Sequence, residues 1–87
     1  MTHKIKIEKP YADAVLSGDK TFEVRYDDRG YQKGDEIEFT VIDSKDNSPI
    51  THPLDGRIFY ITYVLHGWGI KDGWCVFGIK EKEDGQA

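Results

Sequence analysis

Gly18-Asp19-Lys20-Thr21-Phe22-Glu23-Val24-Arg25 marks the point where a helical pattern gives way to an alternating one. Upstream, Tyr11, Ala14 and Val15 recur at the i, i+3, i+4 spacing of one buried helix face, and Pro10 suits a first helical turn. Gly18 stands where a left-handed C-terminal cap is wanted. A helix of about two turns is marginal by itself, so it must lean on a sheet. From Lys20 to Tyr26 the alternation predicts a strand, with Thr21, Glu23 and Arg25 on one face and Phe22, Val24 and Tyr26 on the other. The apolar face is expected to be core, which leaves an acid and a base side by side on the opposite face.

Working outward, His3 to Ile7 alternates as a short strand with Ile5 and Ile7 inward. Asp27 to Asp35, rich in glycine and aspartate, reads as a turn-rich connection, and Asp35 to Ile42 as a half-exposed strand. Ser44 to Pro53 is a polar loop. Arg57 to Leu65 is apolar or aromatic on both faces, which predicts a central, doubly covered strand. His66 to Gly73 loops out, Trp74 to Ile79 returns as a last strand, and residues 82–87 read as a frayed tail. The expected fold is α+β, mostly β: one domain over residues 1–87 with its core at about 3–81. It is a small, closed or half-closed mixed β-barrel of five to six strands, with one or two short helices plugging an end.

A chain of 87 residues buries only roughly 60 to 65% of its unfolded surface, so its core is thin. No apolar run approaches the length of a membrane span, and Met1 to Ile7 is too alternating and charged for a signal peptide. The single cysteine, Cys75, makes no internal disulfide and points to a reducing cytoplasm. A net charge of −4 argues against coating nucleic acid through charge alone. Yet Lys4, Lys6, Lys9, Lys20, Arg25, Arg29 and Lys33 concentrate in the first 33 positions. That clustering fits either a cationic patch for a specific anionic ligand or a solvated surface.

Arg25 offers a planar fork of donors for a phosphate or a base edge, Glu23 can accept from an exocyclic amine, and Lys20 is a point charge for phosphate. Lys20 and Glu23 are also the candidates for catalytic work, the lysine as base and the glutamate as acid/base. The plain alternative is a surface Arg25–Glu23 pair with Lys20 free in solvent. Thr21 and Tyr26 add hydroxyls nearby, and Arg29 and Lys33 either extend a phosphate track or are exposed turn residues. Trp68, between two glycines, is either a stacking platform for a base or a core lid, whereas Trp74 is expected to close the core. His3, His52 and His66 have no paired spacing and Cys75 no partner motif, so neither a metal site nor a cofactor is expected; Cys75 reads as a packed thiol. Asp27 and Asp28 read as turn-formers.

The pattern Gly18-x-Lys20-x-x-Glu23-x-Arg25 resembles the signature of the ASCH domain, a branch of the PUA-like superfamily. Asp27-Asp28-Arg29 through Lys33-Gly34-Asp35, then Gly56-Arg57 before an aromatic-rich strand, is similar to a small ASCH-like family of bacterial and phage proteins. The resemblance spans roughly residues 3–81. It implies a five- or six-stranded PUA-like barrel with a cleft beside the signature, and a general association with RNA or modified nucleosides. With the residue chemistry above, the expected partner is RNA or a nucleotide-like ligand, and the expected binding residues are Lys20, Thr21, Glu23, Arg25, Arg29, Lys33 and Trp68. One enzymatic branch of that superfamily hydrolyses an acyl group from a modified cytidine with the signature lysine, a threonine where Glu23 stands here, and a distant glutamate. A small amidohydrolase acting on a modified nucleoside is therefore the alternative, and a non-catalytic protein-interaction domain the third reading.

Overall fold

Alternation at both ends of the chain builds a single curled sheet. In the computed structural model, which describes residues 1–83, the elements run β1 (Thr2–Glu8), α1 (Lys9–Ser17), β2 (Phe22–Tyr26), β3 (Glu36–Ile42), β4 (Ile58–Leu65) and β5 (Trp74–Glu81). The strand order is β1-β3-β4-β5-β2, with β1 and β3 parallel and the other pairs antiparallel. The result is mostly β, a half-barrel with one short helix among the described residues. β4 is central, as its composition predicts.

The concave side holds the core. Ile5 and Ile7 of β1, Ile37, Phe39 and Val41 of β3, Phe59 and Ile61 of β4, and Cys75, Phe77 and Ile79 of β5 all point into it. Tyr31 and Leu54 drop in from the connections, and Ala12 and Val15 come from α1. Tyr31 sits between His3 and Phe77, each ring centroid 4.8 Å away. Gly18 closes the helix with φ of 89°, donating to the Val15 carbonyl, and the Lys20 N–H reaches back to the Ala14 carbonyl at 3.0 Å. The helix C-terminus therefore fixes where Lys20 begins.

Four expectations change. The buried helix face is Ala12 and Val15, with Tyr11 54% exposed. β2 is turned over: Glu23 is buried, while Phe22, Val24 and Tyr26 face solvent. β4 is covered on one side only: a register shift between Ile61 and Tyr63 turns Tyr63 outward, and among the described residues no helix or strand lies over the convex face. At the C-terminus Lys82 is tied down, its N–H to the Ile58 carbonyl at 2.7 Å and its Nζ to Glu36 at 2.8 Å. The rest of the expected tail, 84–87, lies outside the described residues.

Each of the three histidines is hydrogen-bonded to an aspartate distant in sequence. His3 Nε2 donates to Asp35 at 2.8 Å, His52 Nε2 to Asp13 at 2.7 Å and His66 Nε2 to Asp27 at 2.9 Å. His52 also accepts from the Leu54 N–H at Nδ1, which fixes its ring and anchors the 44–57 connection to α1. Burial of His3 and His52 thus leaves no unpartnered polar atom.

Candidate functional site

The half-barrel has a seam. β1 and β2 are the two edges of the sheet, and no ladder joins them. Arginine side chains cross the gap instead: Arg25 Nη2 donates to the Lys6 carbonyl at 2.6 Å and Arg29 Nη1 to the Lys4 carbonyl at 3.1 Å. Along this seam runs an open groove of about 1160 Å³, bounded by β1, the exposed side of α1, β2 and the start of the following connection. Lys4, Lys6, Lys20, Arg25 and Arg29 line it, together with Glu8, Asp19, Glu23 and Asp28. Five cations against four carboxylates leave the groove net positive on a chain that is net negative.

At its floor lies the carboxylate of Glu23, 3% exposed. Arg25 donates to Oε1 through both Nε, at 3.0 Å, and Nη2, at 2.7 Å. Lys20 Nζ donates to Oε2 and, at 2.7 Å, to the Phe22 carbonyl. A buried carboxylate is tolerated only when its charge is matched, and here two cations match it. The triad carries a surplus positive charge, on side chains that keep 17% (Lys20) and 25% (Arg25) of their surface open to the groove. Lys20 also lies 5.2 Å from the Phe22 ring centroid and 6.0 Å from that of Tyr11, whose negative faces favour a cation there.

Lys20, Glu23, Arg25 and Arg29 therefore meet in one concavity. Thr21, Lys33 and Trp68 do not line it. Thr21 is exposed and gives its carbonyl to the Ile79 N–H, and Lys33 is exposed on the turn before β3. Trp68 is 91% exposed on the 66–73 loop with φ of 55°, so it is not a core lid. Trp74 does not close the core either: it is 36% exposed and packs edge-on against Tyr26 at 6.0 Å, at the rim of the groove. Lys4, Lys6 and Asp28 are groove residues that the signature does not include. For the two lysines the only sequence signal is the alternating, lysine-rich β1, since it takes the fold to set that strand opposite β2. Glu81, the glutamate of the last strand, pairs with Arg57 at 3.3 Å and does not line the groove.

Both oxygens of Glu23 accept from a cation, Oε1 from Arg25 and Oε2 from Lys20, so the carboxylate holds the two cationic groups in place at the groove floor. Lys20 Nζ is engaged as a donor to two acceptors, the Glu23 carboxylate and the Phe22 carbonyl, and the rest of its donor capacity is open to the groove. Cys75 is fully buried, and burial, with Asp27 beside it, pushes its thiol above the ordinary range; it is no nucleophile. Beyond the groove, Asp27, His66 and Cys75 form a cluster of metal-ligating atom types lying within 4.8 Å of one another. Among the described residues, no helix is long and apolar enough to cross a membrane.

Comparison with curated proteins returns no match. A family model described as a domain of unknown function, DUF3850, matches residues 2–79, which takes in β1 to β4, the helix, β5 as far as Ile79 and the whole groove. The chain belongs to the DUF3850 family.

Proposed function

We propose that this domain is an ASCH-type, PUA-like module that binds RNA or a nucleotide-like anion in the groove between β1 and β2. The observation that carries this reading is the buried Glu23 carboxylate flanked by Lys20 and Arg25, a preorganised and net-cationic floor beneath an open groove. Phosphate oxygens meet Lys20 and Arg25, and Lys4, Lys6 and Arg29 extend the track along the seam. The groove's volume is that of a site for a nucleotide or larger ligand. The rim aromatics Tyr26 and Trp74 offer faces on which a base can stack. A buried unpaired thiol suits the reducing cytoplasm.

The test is a titration of labelled single-stranded RNAs and of modified nucleosides, with mass spectrometry of each mixture. The expected result is saturable, salt-sensitive binding that weakens at least about tenfold in Lys20→Ala, with no new product. In Arg29→Ala the salt slope falls by about one. Affinity unchanged in both variants overturns the reading. A product mass that Lys20→Ala abolishes replaces it with the nucleoside hydrolase.

A further inference from the structure

We infer that Asp27, His66 and Cys75 form a binding site for a divalent transition-metal ion of zinc's class, independent of the groove's ligand. The ligand atoms are one carboxylate oxygen, one imidazole nitrogen and Sγ, all mutually within 4.8 Å. Metal–ligand bonds of roughly 2.0 to 2.3 Å in a tetrahedron set ligand atoms about 3.5 Å apart. An ion therefore draws the longest separation in by about 1 Å, opens the 2.9 Å contact between His66 and Asp27 slightly, and takes three of its four positions from the protein. Sequence spacing hides the set. Asp27 is the first residue after β2, His66 the first after β4 and Cys75 the second residue of β5. Because β5 lies between β4 and β2 in the sheet, all three residues come to the same end of three adjacent strands.

The site is built on fixed backbone. The Asp27 N–H is bonded to the Gly73 carbonyl at 2.8 Å, which ties it to the entrance of β5. Asp27 Oδ1 accepts from the Gly30 and Tyr31 N–H groups at 2.9 and 3.1 Å, which leaves Oδ2 aimed at His66 Nε2. Gly67 and Gly69, with φ of 75° and 84°, let the loop turn back directly after His66. The other two Asp–His pairs lack a third ligand among the described residues, so the thiol singles this one out.

The donor set selects the metal. Thiolate plus imidazole plus one carboxylate suits zinc, and carboxylate with thiolate neutralises a dication. Binding replaces the proton shared by Nε2 and Oδ2: the imidazole proton moves to Nδ1, the thiol proton goes to solvent, and one proton is released per ion. Sγ is buried and the imidazole 56% exposed, so the ion enters from the His66 side. There a fourth, exchangeable position faces water.

Cobalt(II) replaces zinc and reports its ligands by colour. The chelator-stripped full chain is titrated with Co²⁺ and then with Zn²⁺. The expected result is a thiolate-to-cobalt charge-transfer band with tetrahedral visible bands, saturating at one ion per chain and bleached by zinc. Cys75→Ala loses the charge-transfer band. His66→Ala, at an exposed position that leaves folding intact, weakens binding at least about tenfold. Absence of the charge-transfer band in the wild type, or affinity unchanged in His66→Ala, reduces the cluster to an Asp–His pair over a packed thiol and overturns the inference. None of these readouts involves nucleic acid, so they stand or fall separately from the groove.

Discussion

Arg25 Nη2 on β2 donates to the Lys6 carbonyl of β1 at 2.6 Å, joining the two strands that the sheet's own ladder leaves apart. The same guanidinium forks onto Glu23, so one side chain both closes the barrel seam and balances the buried carboxylate. Arg25→Ala is therefore expected to destabilise the domain by about 2 to 4 kcal/mol, mostly by leaving Glu23 with Lys20 alone. Arg25→Lys keeps the charge but lacks the fork, and recovers less than half of that loss. Urea denaturation midpoints at neutral pH measure both.

Acid sensitivity follows from the Asp–His pairs. The hydrogen bond from His66 holds the Asp27 carboxyl below its ordinary value of 3.8, helped by the Gly30 and Tyr31 N–H groups and opposed by partial burial. Burial pushes Asp35 upward, but His3, the Gln32 N–H and the N-terminal amine outweigh it, so it too lies below 3.8. A carboxyl lowered on folding contributes stability that is complete above its unfolded value and is lost as pH falls through its folded value. Stability should thus hold level down to about pH 5 and drop steeply below 3.8. Asp35→Asn should flatten that drop in a series of denaturation curves from neutral to acid pH.

The β2 strand shows how far sequence reading reaches. Its period, its start after Gly18 and the convergence of Lys20, Glu23 and Arg25 are all legible, because alternation and a capping glycine are local properties. Which side faces in is not. An apolar Phe22, Val24 and Tyr26 outweigh a lone glutamate in any hydrophobicity argument, whereas in the fold Lys20 and Arg25 together match the inward Glu23 and Arg25 is bonded to the opposite strand. The Asp–His pairs and the Asp27–His66–Cys75 cluster were illegible for a related reason. Their partners lie far apart in sequence and are brought together by strand order. Tyr31 was hidden in a turn-rich stretch whose composition says nothing of burial.

Gly78 faces Thr62 across the β4–β5 pair, and a Cβ there would overlap Thr62 Oγ1. The Thr62 hydroxyl can leave only by a change of χ1, which this β-branched side chain makes at a cost, or by a shift of the strand. Gly78→Ala should cost about 1 to 3 kcal/mol, with most of it recovered in the Gly78→Ala, Thr62→Ala double variant. Thermal unfolding of the four proteins in the cycle measures the coupling.

Trp68 makes the opposite prediction. At 91% exposure it has little packing to lose, so Trp68→Ala should change stability by no more than about 0.5 kcal/mol. Since Trp68 does not line the groove, RNA affinity should also be unchanged in the same titration that separates Lys20→Ala from wild type.

The most direct test of the seam as the binding site is an NMR titration of the labelled domain with a short single-stranded RNA, following backbone amides. The account predicts shifts concentrated at Lys4 to Ile7, Lys20 to Arg25 and Asp28 to Arg29, growing together to saturation and absent at Tyr63 and Trp68. Shifts confined to the convex face or the 66–73 loop, or none at an RNA concentration well above that of the protein, would contradict it.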